Sequence, residues 1–207
     1  MPDYDLDRAY EIDGPDDVRK LYGNWAETYD DHFGAGWGYV APREIAAIFR
    51  SEMSDGHMPV LDAGAGTGLL AENLPGVEID AIDITPEMLA RAEAKGLYRN
   101  RFLGDLTGPI ALPDQHYGGV ISCGTFTHGH VGPESLPELL RVAKPGALFC
   151  CGTIAAVLDG VGFGSALARL VAHGKISPVR YREIEIYEGV MHPHADDRGL
   201  VMVFNRL

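Results

Sequence analysis

Three glycines at alternate positions, following an apolar run, constrain the fold of this chain more than any other feature. Residues 62–68 read DAGAGTG after the apolar pair Val60 and Leu61. Glycine lets a backbone turn sharply and approach a ligand without a Cβ in the way. A strand before such a loop and a short helical segment after it, here 68–74, are typical of a nucleotide-binding turn. The loop therefore predicts an α/β fold with a ligand site at the carboxyl ends of its strands.

Strand-like and helical segments alternate along the rest of the chain. Five short runs of strand type alternate with helical patterns, and several of these runs are apolar without alternation, which is typical of parallel strands covered on both faces. Two further strand-like runs, 181–190 and 199–207, are separated by turn-forming residues and predict a hairpin-connected pair. Helices are predicted over 14–30, from Pro42, and over 86–95 (with Thr85 as its cap), 134–142 and 163–173. We expect an open, seven-stranded, mostly parallel sheet with helices on both faces.

The length of 207 residues fits one domain over 1–207. Within it we expect an N-terminal helical cap at 1–52, a central core at 58–152, and a helix with a strand pair at 153–207. The chain has no run of 18 apolar residues, so no membrane association is expected. Its acidic N-terminus lacks the apolar stretch of a signal peptide, which leads us to expect a cytoplasmic protein.

The charge balance argues against nucleic acid as a partner. There are 17 basic and 30 acidic residues, a formal net charge of −13, and such an excess opposes binding to phosphates or anionic membranes. Cys123, Cys150 and Cys151 are an odd set with two adjacent members, which is a poor disulfide framework. We expect reduced core cysteines; a redox role for the adjacent pair is the alternative.

The spacing around the glycine loop distinguishes between nucleotides. The fingerprint of NAD and FAD proteins, G-x-G-x-x-G, would require glycine at position 69, where this chain has Leu69. No glycine-lysine pair follows the loop, which disfavours a nucleoside triphosphate. Asp83 ends the second strand-like run and is placed to accept hydrogen bonds from ribose hydroxyls; a helix-capping role is the alternative. Asp105, after the third run, is placed for an adenine amine, or is an ordinary turn residue.

The motifs VLDAGAGTG, AIDITPEML, GDL and LPELLRVAKPGALF together resemble the class I S-adenosylmethionine-dependent methyltransferases over roughly residues 58–152. The resemblance implies S-adenosylmethionine as cofactor, S-adenosylhomocysteine as product, and a last strand that runs antiparallel. Ala65 and Ala147 depart from the common family pattern, but the backbone supplies the contacts there. The implied cofactor-binding residues are Asp62, Gly64, Ala65 and Gly66 for the methionine moiety, Asp83 for the ribose, Asp105 and Leu106 for the adenine, and Cys123 with Gly124 beside the methionine. Ile84 is a further predicted cofactor contact. Met88 and Leu106 are candidates to sandwich the adenine, with an ordinary core role as the alternative.

The N-terminal segment LYGNWAETYDDHF resembles a smaller branch of methyltransferase-like proteins, in which such a segment lies over the cofactor. This resemblance implies cofactor contacts from Trp25 and Tyr29, and adds Tyr22 as a candidate; each is also an ordinary core aromatic by spacing. The glycine-rich stretch 33–42 after it is interpreted as a lid or entrance. We hypothesise that this region closes over the cofactor and becomes ordered when it binds.

A catalytic base is predicted in the loop TFTHGH after the fourth strand. His128 is the preferred candidate and His130 the second; the alternative is a loop histidine that orders the backbone. The pairs His128 with His130 and His192 with His194 lack a zinc-like ligand set, so no metal is expected. The leading prediction is a methyltransferase acting on a small molecule. Open alternatives are a protein methyltransferase, a non-catalytic cofactor-binding module and, disfavoured by Leu69, an NAD-dependent oxidoreductase.

Overall fold

The computed structural model describes residues 12, 14–127 and 129–207. Seven strands form one sheet: β1 Val60–Ala63, β2 Ile79–Asp83, β3 Arg101–Leu103, β4 Tyr117–Phe126, β5 Ala143–Thr153, β6 Arg180–Glu185 and β7 Arg198–Asn205. Within the described residues, six α-helices accompany them: α1 Pro15–Trp25, α2 Ala41–Glu52, α3 Pro86–Lys95, α4 Leu136–Val142, α5 Ala155–Gly160 and α6 Phe163–Ala172. The remaining helical pieces are a π-helical segment, Asp30–Ala35, and the 3₁₀ turns Asp55–His57, Ala71–Asn73 and Pro133–Ser135.

The sheet has the order β3-β2-β1-β4-β5-β7-β6. Strands β1 to β5 pair in parallel, whereas β7 is antiparallel to both of its neighbours. The predicted sheet and its antiparallel last strand are therefore confirmed. The order of the strands reverses between β1 and β4, and the crevice at such a point is where open α/β sheets bind ligands.

Side chains of successive strand residues alternate between two cores, one on each face of the sheet. In β5, Phe149 and Cys151 belong to the core that includes α4 and α6, and Cys150 belongs to the core that includes α2. Phe149 stacks on Phe204 of β7 with ring centroids 4.6 Å apart. Phe49 of α2 is fully buried on the other face, and each such side chain contributes roughly 2–3 kcal/mol by burial. The predicted coverage of both faces by helices is confirmed.

Several predicted helix boundaries are wrong. The helix predicted over 14–30 ends at Trp25, because the chain turns there and stacks Tyr29 on Phe33, with ring centroids 5.0 Å apart. The helix predicted over 68–74 is reduced to the single turn Ala71–Asn73. Residues 144–146, predicted to end a helix, lie within β5, and α5 was not predicted.

In the part of the chain that the structure describes, no helix combines the length and the apolarity that crossing a bilayer requires. The three cysteines are free thiols; Cys150 and Cys151 are buried in β5, as expected of core residues.

Candidate active site

The glycine loop leaves β1 in a conformation that depends on its glycines. Gly64, Gly66 and Gly68 have φ angles of +75°, +53° and +93°, a region that favours glycine. A Cβ built on Gly64 would lie 2.0 Å from the hydroxyl oxygen of Thr125, so this glycine is also required by packing. A Cβ built on Gly66 would meet no protein atom within 4 Å. The loop thus packs tightly against β4 at Gly64 and borders open space at Gly66.

Asp83 organises the loop from the end of β2. Its carboxylate accepts hydrogen bonds from the backbone N–H of Gly66, at 2.7 Å, and from that of Thr85, at 2.8 Å. Burial raises the pKa of Asp83 above its usual value, and these hydrogen bonds counteract that rise. Thr85 stands at the N-cap of α3 as predicted, but its side chain makes no capping hydrogen bond there. The prediction that the Thr85 side chain caps this helix is therefore wrong. The backbone N–H of Thr85 donates a hydrogen bond to the carboxylate of Asp83.

Asp62, the last acidic residue before the loop, is 1% exposed. One carboxylate oxygen, Oδ2, accepts a hydrogen bond of 2.7 Å from the hydroxyl of Tyr98. The other, Oδ1, is buried and has no hydrogen-bond partner among the described residues. Burial raises the pKa of Asp62 to about 7, against the lowering effect of the Tyr98 hydrogen bond, and Asp83 adds to the rise. An unpaired buried acceptor of this kind is costly and suits a cationic or N–H-donating ligand.

A cleft of about 930 Å³, counting its open mouth, lies over the loop. We call it the cofactor cleft. Most of the predicted cofactor-binding residues line it: Tyr29, Asp62, Gly64, Ala65, Gly66, Asp83, Ile84, Met88, Asp105, Leu106, Cys123 and Gly124. Trp25 does not line it; its ring packs edge-on against Tyr22, 5.6 Å away, and is 4% exposed. The cofactor contact of Trp25 stays a prediction, made for a residue that lies away from the cleft in this structure. His128 lies outside the described residues.

The sequence left two roles open for Asp105, a residue of the adenine site or an ordinary turn residue, and its position in the structure is compatible with both. It lines the cofactor cleft, and its Oδ1 also accepts hydrogen bonds from the N–H and the hydroxyl of Thr107, at 2.9 and 2.6 Å. Its other oxygen is 3.7 Å from the guanidinium of Arg19 in α1. Met88 and Leu106 are buried, at 2% and 5% exposure, and still contribute apolar surface to the cleft.

The arrangement fits S-adenosylmethionine part by part. The unpaired oxygen of Asp62 suits the ammonium group of the methionine moiety, and the open face of Gly66 admits the ligand close to the backbone. Asp83 offers carboxylate oxygens where a ribose would lie. Met88 and Leu106 supply the apolar surfaces that an adenine ring needs.

A polar contact that sequence reasoning missed joins the N-terminal segment to the loop. The hydroxyl of Thr67 donates to Asp30 at 2.5 Å, and Lys95 lies 2.6 Å from Asp30 and 2.5 Å from Glu72. We call these four residues the latch. No local motif marks them, because they come from four separate segments.

Tyr39 and Thr125 also line the cleft without having been predicted. The hydroxyl of Tyr39 is 3.1 Å from Sγ of Cys123, and that of Thr125 donates to the carbonyl of Ala63 at 3.0 Å. Thr125 belongs to the loop in which a base was sought, so attention to its hydroxyl would have found it. Tyr39 lies in the glycine-rich stretch 33–42 that was interpreted as a lid or entrance, but no residue of that stretch was named as a site residue.

His130, the second base candidate, lies at the edge of the cofactor cleft. Its Nε2 is 2.9 Å from the hydroxyl of Tyr22, and its Nδ1 is 3.2 Å from that of Thr127. The ring is thus oriented by two hydroxyl groups. His192 and His194 lie elsewhere: Nδ1 of His192 accepts from the backbone N–H of His194, and the ring of His194 contacts Asp197. Within the described ranges, no three His, Cys, Asp or Glu side chains are grouped as metal ligands.

A nucleotide cleft at the switch point of a seven-stranded sheet with this strand order defines a Rossmann-like methyltransferase fold. Residues 61–151 match the family described as a methyltransferase domain. The chain is 35% identical over 147 residues to methyltransferase-like protein 27 of Homo sapiens, which covers 67% of this chain and 59% of that protein. It is 28% identical over 144 residues to demethylmenaquinone methyltransferase of Chlorobaculum tepidum, covering 62% and 56% respectively.

Solved structures agree on the fold. The TehB-like SAM-dependent methyltransferase of Corynebacterium glutamicum superposes with a TM-score of 0.63 at 20% identity, covering 91% of this chain and 99% of that one. A Burkholderia thailandensis 1,6-didemethyltoxoflavin-N1-methyltransferase, with 1,6-didemethyltoxoflavin and S-adenosylhomocysteine bound, gives 0.60 at 21% identity, covering 94% and 91%.

The chain therefore contains a methyltransferase domain over residues 61–151, on a fold that it shares with S-adenosylmethionine-dependent methyltransferases. It spans a little over half the length of the two curated relatives named above.

Proposed function

We propose that this protein transfers a methyl group from S-adenosylmethionine to a small-molecule acceptor. The observation that carries the proposal is the pairing of the cofactor cleft with a second cavity, of about 760 Å³ counting its mouth, along a common wall. A cavity of this size suits a small molecule. The name of the Chlorobaculum tepidum relative, which gives demethylmenaquinone as its acceptor, supports the same reading.

When bound, S-adenosylmethionine supplies a methyl group on a positively charged sulfur. The residues of the chain act by positioning: Asp62 pairs with the ammonium, Asp83 accepts from the ribose, and the backbone at Gly66 allows close approach. Cys123 and Gly124, in the common wall, border both the cofactor and the acceptor. Among the described residues of this wall, His130 has the side chain that can act as a general base.

His128 remains the predicted base, with His130 as the second candidate. His130 lines both cavities and is oriented by Tyr22 and Thr127. A base is required only where the acceptor atom carries a proton of high pKa. Replacing each histidine by alanine and comparing turnover with S-adenosylhomocysteine affinity tests the roles. A base lowers turnover on removal and leaves that affinity unchanged; if neither variant slows turnover, neither histidine is a base.

Thermal unfolding with added ligands tests the cofactor part of the proposal. We expect S-adenosylmethionine and S-adenosylhomocysteine to raise the melting temperature and NAD to leave it unchanged, because only a ligand bound to the folded state stabilises it. An Asp83→Ala variant is the control and loses most of this shift. Stabilisation by NAD alone would overturn the assignment.

Transfer of a radiolabelled methyl group tests the acceptor. We expect label to enter the small-molecule fraction of a metabolite extract and not a set of basic proteins. Label in protein would favour a protein methyltransferase. Cofactor binding without any transfer would favour a non-catalytic binding module.

A further inference from the structure

The second cavity is lined largely by aromatic and aliphatic side chains, and we call it the aromatic cavity. Six residues form its common wall with the cofactor cleft: Tyr22, Tyr29, Tyr39, Cys123, Gly124 and His130. Beyond this wall it is lined mainly by apolar side chains from several elements, among them Phe33, Ile45, Ile154, Ile184, Ile186 and Tyr187.

The aromatic residues around the cavity form a contiguous cluster. Phe33 lies at its centre, stacked on Tyr29 at 5.0 Å, tilted against Tyr39 at 4.9 Å, and edge-on to Tyr187 at 6.3 Å between ring centroids. Phe33 and Tyr187 are 7% and 4% exposed. Aromatic pairs in offset or edge-to-face contact gain roughly 0.5–1.5 kcal/mol beyond the area that they bury. A ligand with an aromatic ring extends this cluster better than an aliphatic chain does.

The described residues that line the aromatic cavity include no Asp, Glu, Lys or Arg. A charged ligand would therefore lose its hydration there without gaining an ion pair, which is strongly unfavourable. The contrast with the cofactor cleft is direct, since that cleft contains three aspartates, Asp62, Asp83 and Asp105.

Polar atoms are concentrated at the common wall. The hydroxyl of Tyr39 pairs with Sγ of Cys123 at 3.1 Å, and His130 pairs with the hydroxyls of Tyr22 and Thr127. Burial raises the pKa of Cys123 to about 12 and that of Tyr39 well above its ordinary value, so both groups stay neutral at physiological pH. At Tyr39 and Cys123 the wall therefore offers neutral hydrogen-bonding groups, at the side nearest the cofactor.

We infer that the aromatic cavity binds an uncharged aromatic molecule that carries a hydroxyl group. Its ring packs among Phe33, Tyr187 and the isoleucines, and its hydroxyl lies at the common wall beside His130. The role of this molecule as methyl acceptor rests on the proposed function; its binding does not.

Three naphthalene probes of similar size but different charge test the inference at neutral pH. Calorimetric titration of the protein with 2-naphthol, 2-naphthoate and protonated 2-(aminomethyl)naphthalene is carried out with and without saturating S-adenosylhomocysteine. We expect 2-naphthol to bind at least about tenfold more tightly than either ion, because an unpaired buried charge is costly. A preference for the cation would indicate an aromatic cage for amines and overturn the inference, as would a preference for the anion or equal affinities.

Filling the cavity tests the location. Ile186→Trp places a larger side chain in the lining, and Ile154→Phe does so from a different segment. Leu103→Trp is the matched control, because Leu103 is 65% exposed on β3 and lines neither cavity. We expect the two cavity variants to weaken 2-naphthol binding at least about tenfold and to keep S-adenosylhomocysteine affinity within about threefold, with the control unchanged in both.

The two proposals fail in different ways. Unaltered 2-naphthol affinity in a cavity variant that still binds S-adenosylhomocysteine overturns the location. If both cavity variants fail to fold, the comparison of the three probes on the unmodified protein still decides the ligand class. Absence of S-adenosylhomocysteine binding in the unmodified protein would overturn the proposed function, while the probe titrations without cofactor would still test the aromatic cavity.

Discussion

The cofactor cleft and the aromatic cavity are neighbours, but they are built in opposite ways. The cleft is formed chiefly by the ends of β1, β2 and β4 and the loops that follow them, and its key groups are backbone N–H groups, glycines and buried carboxylates. The aromatic cavity takes its lining from segments between Tyr22 and Gly199, and its key groups are rings. A site made by backbone conformation leaves a local motif in the sequence, whereas a site made by distant side chains does not.

The difference extends to electrostatics. The cleft keeps acids in a buried environment, with Asp62 at 1% and Asp83 at 8% exposure, and this arrangement suits a ligand with an ammonium and a sulfonium. The described lining of the aromatic cavity carries no Asp, Glu, Lys or Arg, and it offers dispersion and hydrogen bonding. Each of the following experiments alters one side of this contrast.

The largest effect is expected from the two loop glycines. Gly64→Ala puts a methyl group 2.0 Å from the hydroxyl of Thr125 at a φ of +75°, and we expect it to destabilise the fold by ~3 kcal/mol or more. Gly66→Ala meets open space, so we expect a loss of only ~1 kcal/mol in stability, with cofactor affinity falling at least about tenfold. Urea unfolding and titration with S-adenosylhomocysteine measure the two quantities. Equal destabilisation by both variants would contradict this division of roles.

Asp62→Asn should separate stability from binding. We expect S-adenosylhomocysteine affinity to fall roughly 30- to 100-fold, because a charged partner of the ammonium is lost. Without cofactor, the folded-state pKa of Asp62 is raised to about 7, so its ionisation destabilises the fold as pH rises from about 4 through 7. The neutral variant lacks this penalty, and we expect it to unfold at a higher temperature than the unmodified protein at pH 8.

Asp80→Asn is the matched control on β2. Asp80 is as buried as Asp62, but Arg99 donates to both of its oxygens, at 3.0 and 2.9 Å. Burial raises its pKa, but the hydrogen bonds from Arg99, Asn100 and Tyr117 outweigh this and lower it. We therefore expect this variant to destabilise the fold at pH 8 and leave cofactor affinity unchanged. A gain of stability here, or a loss in Asp62→Asn, would refute the electrostatic account.

Cofactor affinity should depend on pH around neutrality. Because the pKa of Asp62 is about 7, protonation below that pH removes the charge that pairs with the ammonium. We expect the affinity for S-adenosylhomocysteine to be constant above about pH 7 and to decrease by at most about tenfold per pH unit below it. Calorimetry from pH 5.5 to 8.5 measures the profile, and Asp62→Asn should flatten it. Affinity for 2-naphthol in the aromatic cavity should not follow the same profile.

The smallest effect is expected from the latch. Asp30→Asn removes a charge that contacts both Thr67 and Lys95, and its side chain is 30% exposed, so solvent weakens the pair and we expect less than ~1 kcal/mol. Hydrogen exchange of residues 26–36 should become a few-fold faster, and cofactor should slow it less than in the unmodified protein. Asp31→Asn, at an exposed neighbouring position, is the control. Equal exchange with and without cofactor would refute the closing of this region over the cleft.

Predictions from sequence that depend on interactions between neighbouring residues were more reliable than predictions that depend on contacts between distant ones. The first five strands were predicted from short runs of strand type, several of them apolar without alternation. The strand β6 was predicted from its alternating pattern, and β7 from its continuous apolar run. The helix predicted over 14–30 ends at Trp25, and beyond it Phe33 stacks on Tyr29 and contacts Tyr187, more than 150 residues later in the chain. No local pattern encodes contacts of that range. The family resemblance placed Trp25 and Tyr29 together over the cofactor, and of the two only Tyr29 lines the cleft.

The amino-acid sequence by itself determined the alternation of strands and helices, the glycine loop and the acids of β1 and β2, because these depend on local backbone preferences and on burial patterns within single elements. Tertiary structure alone decided that Asp62 keeps an unpaired oxygen, that Thr125 fills the space beside Gly64, and that Phe33, Tyr39 and Tyr187 meet at one cavity. These features depend on which distant side chains come into contact when the two faces of the sheet are covered, and no short-range pattern encodes that contact.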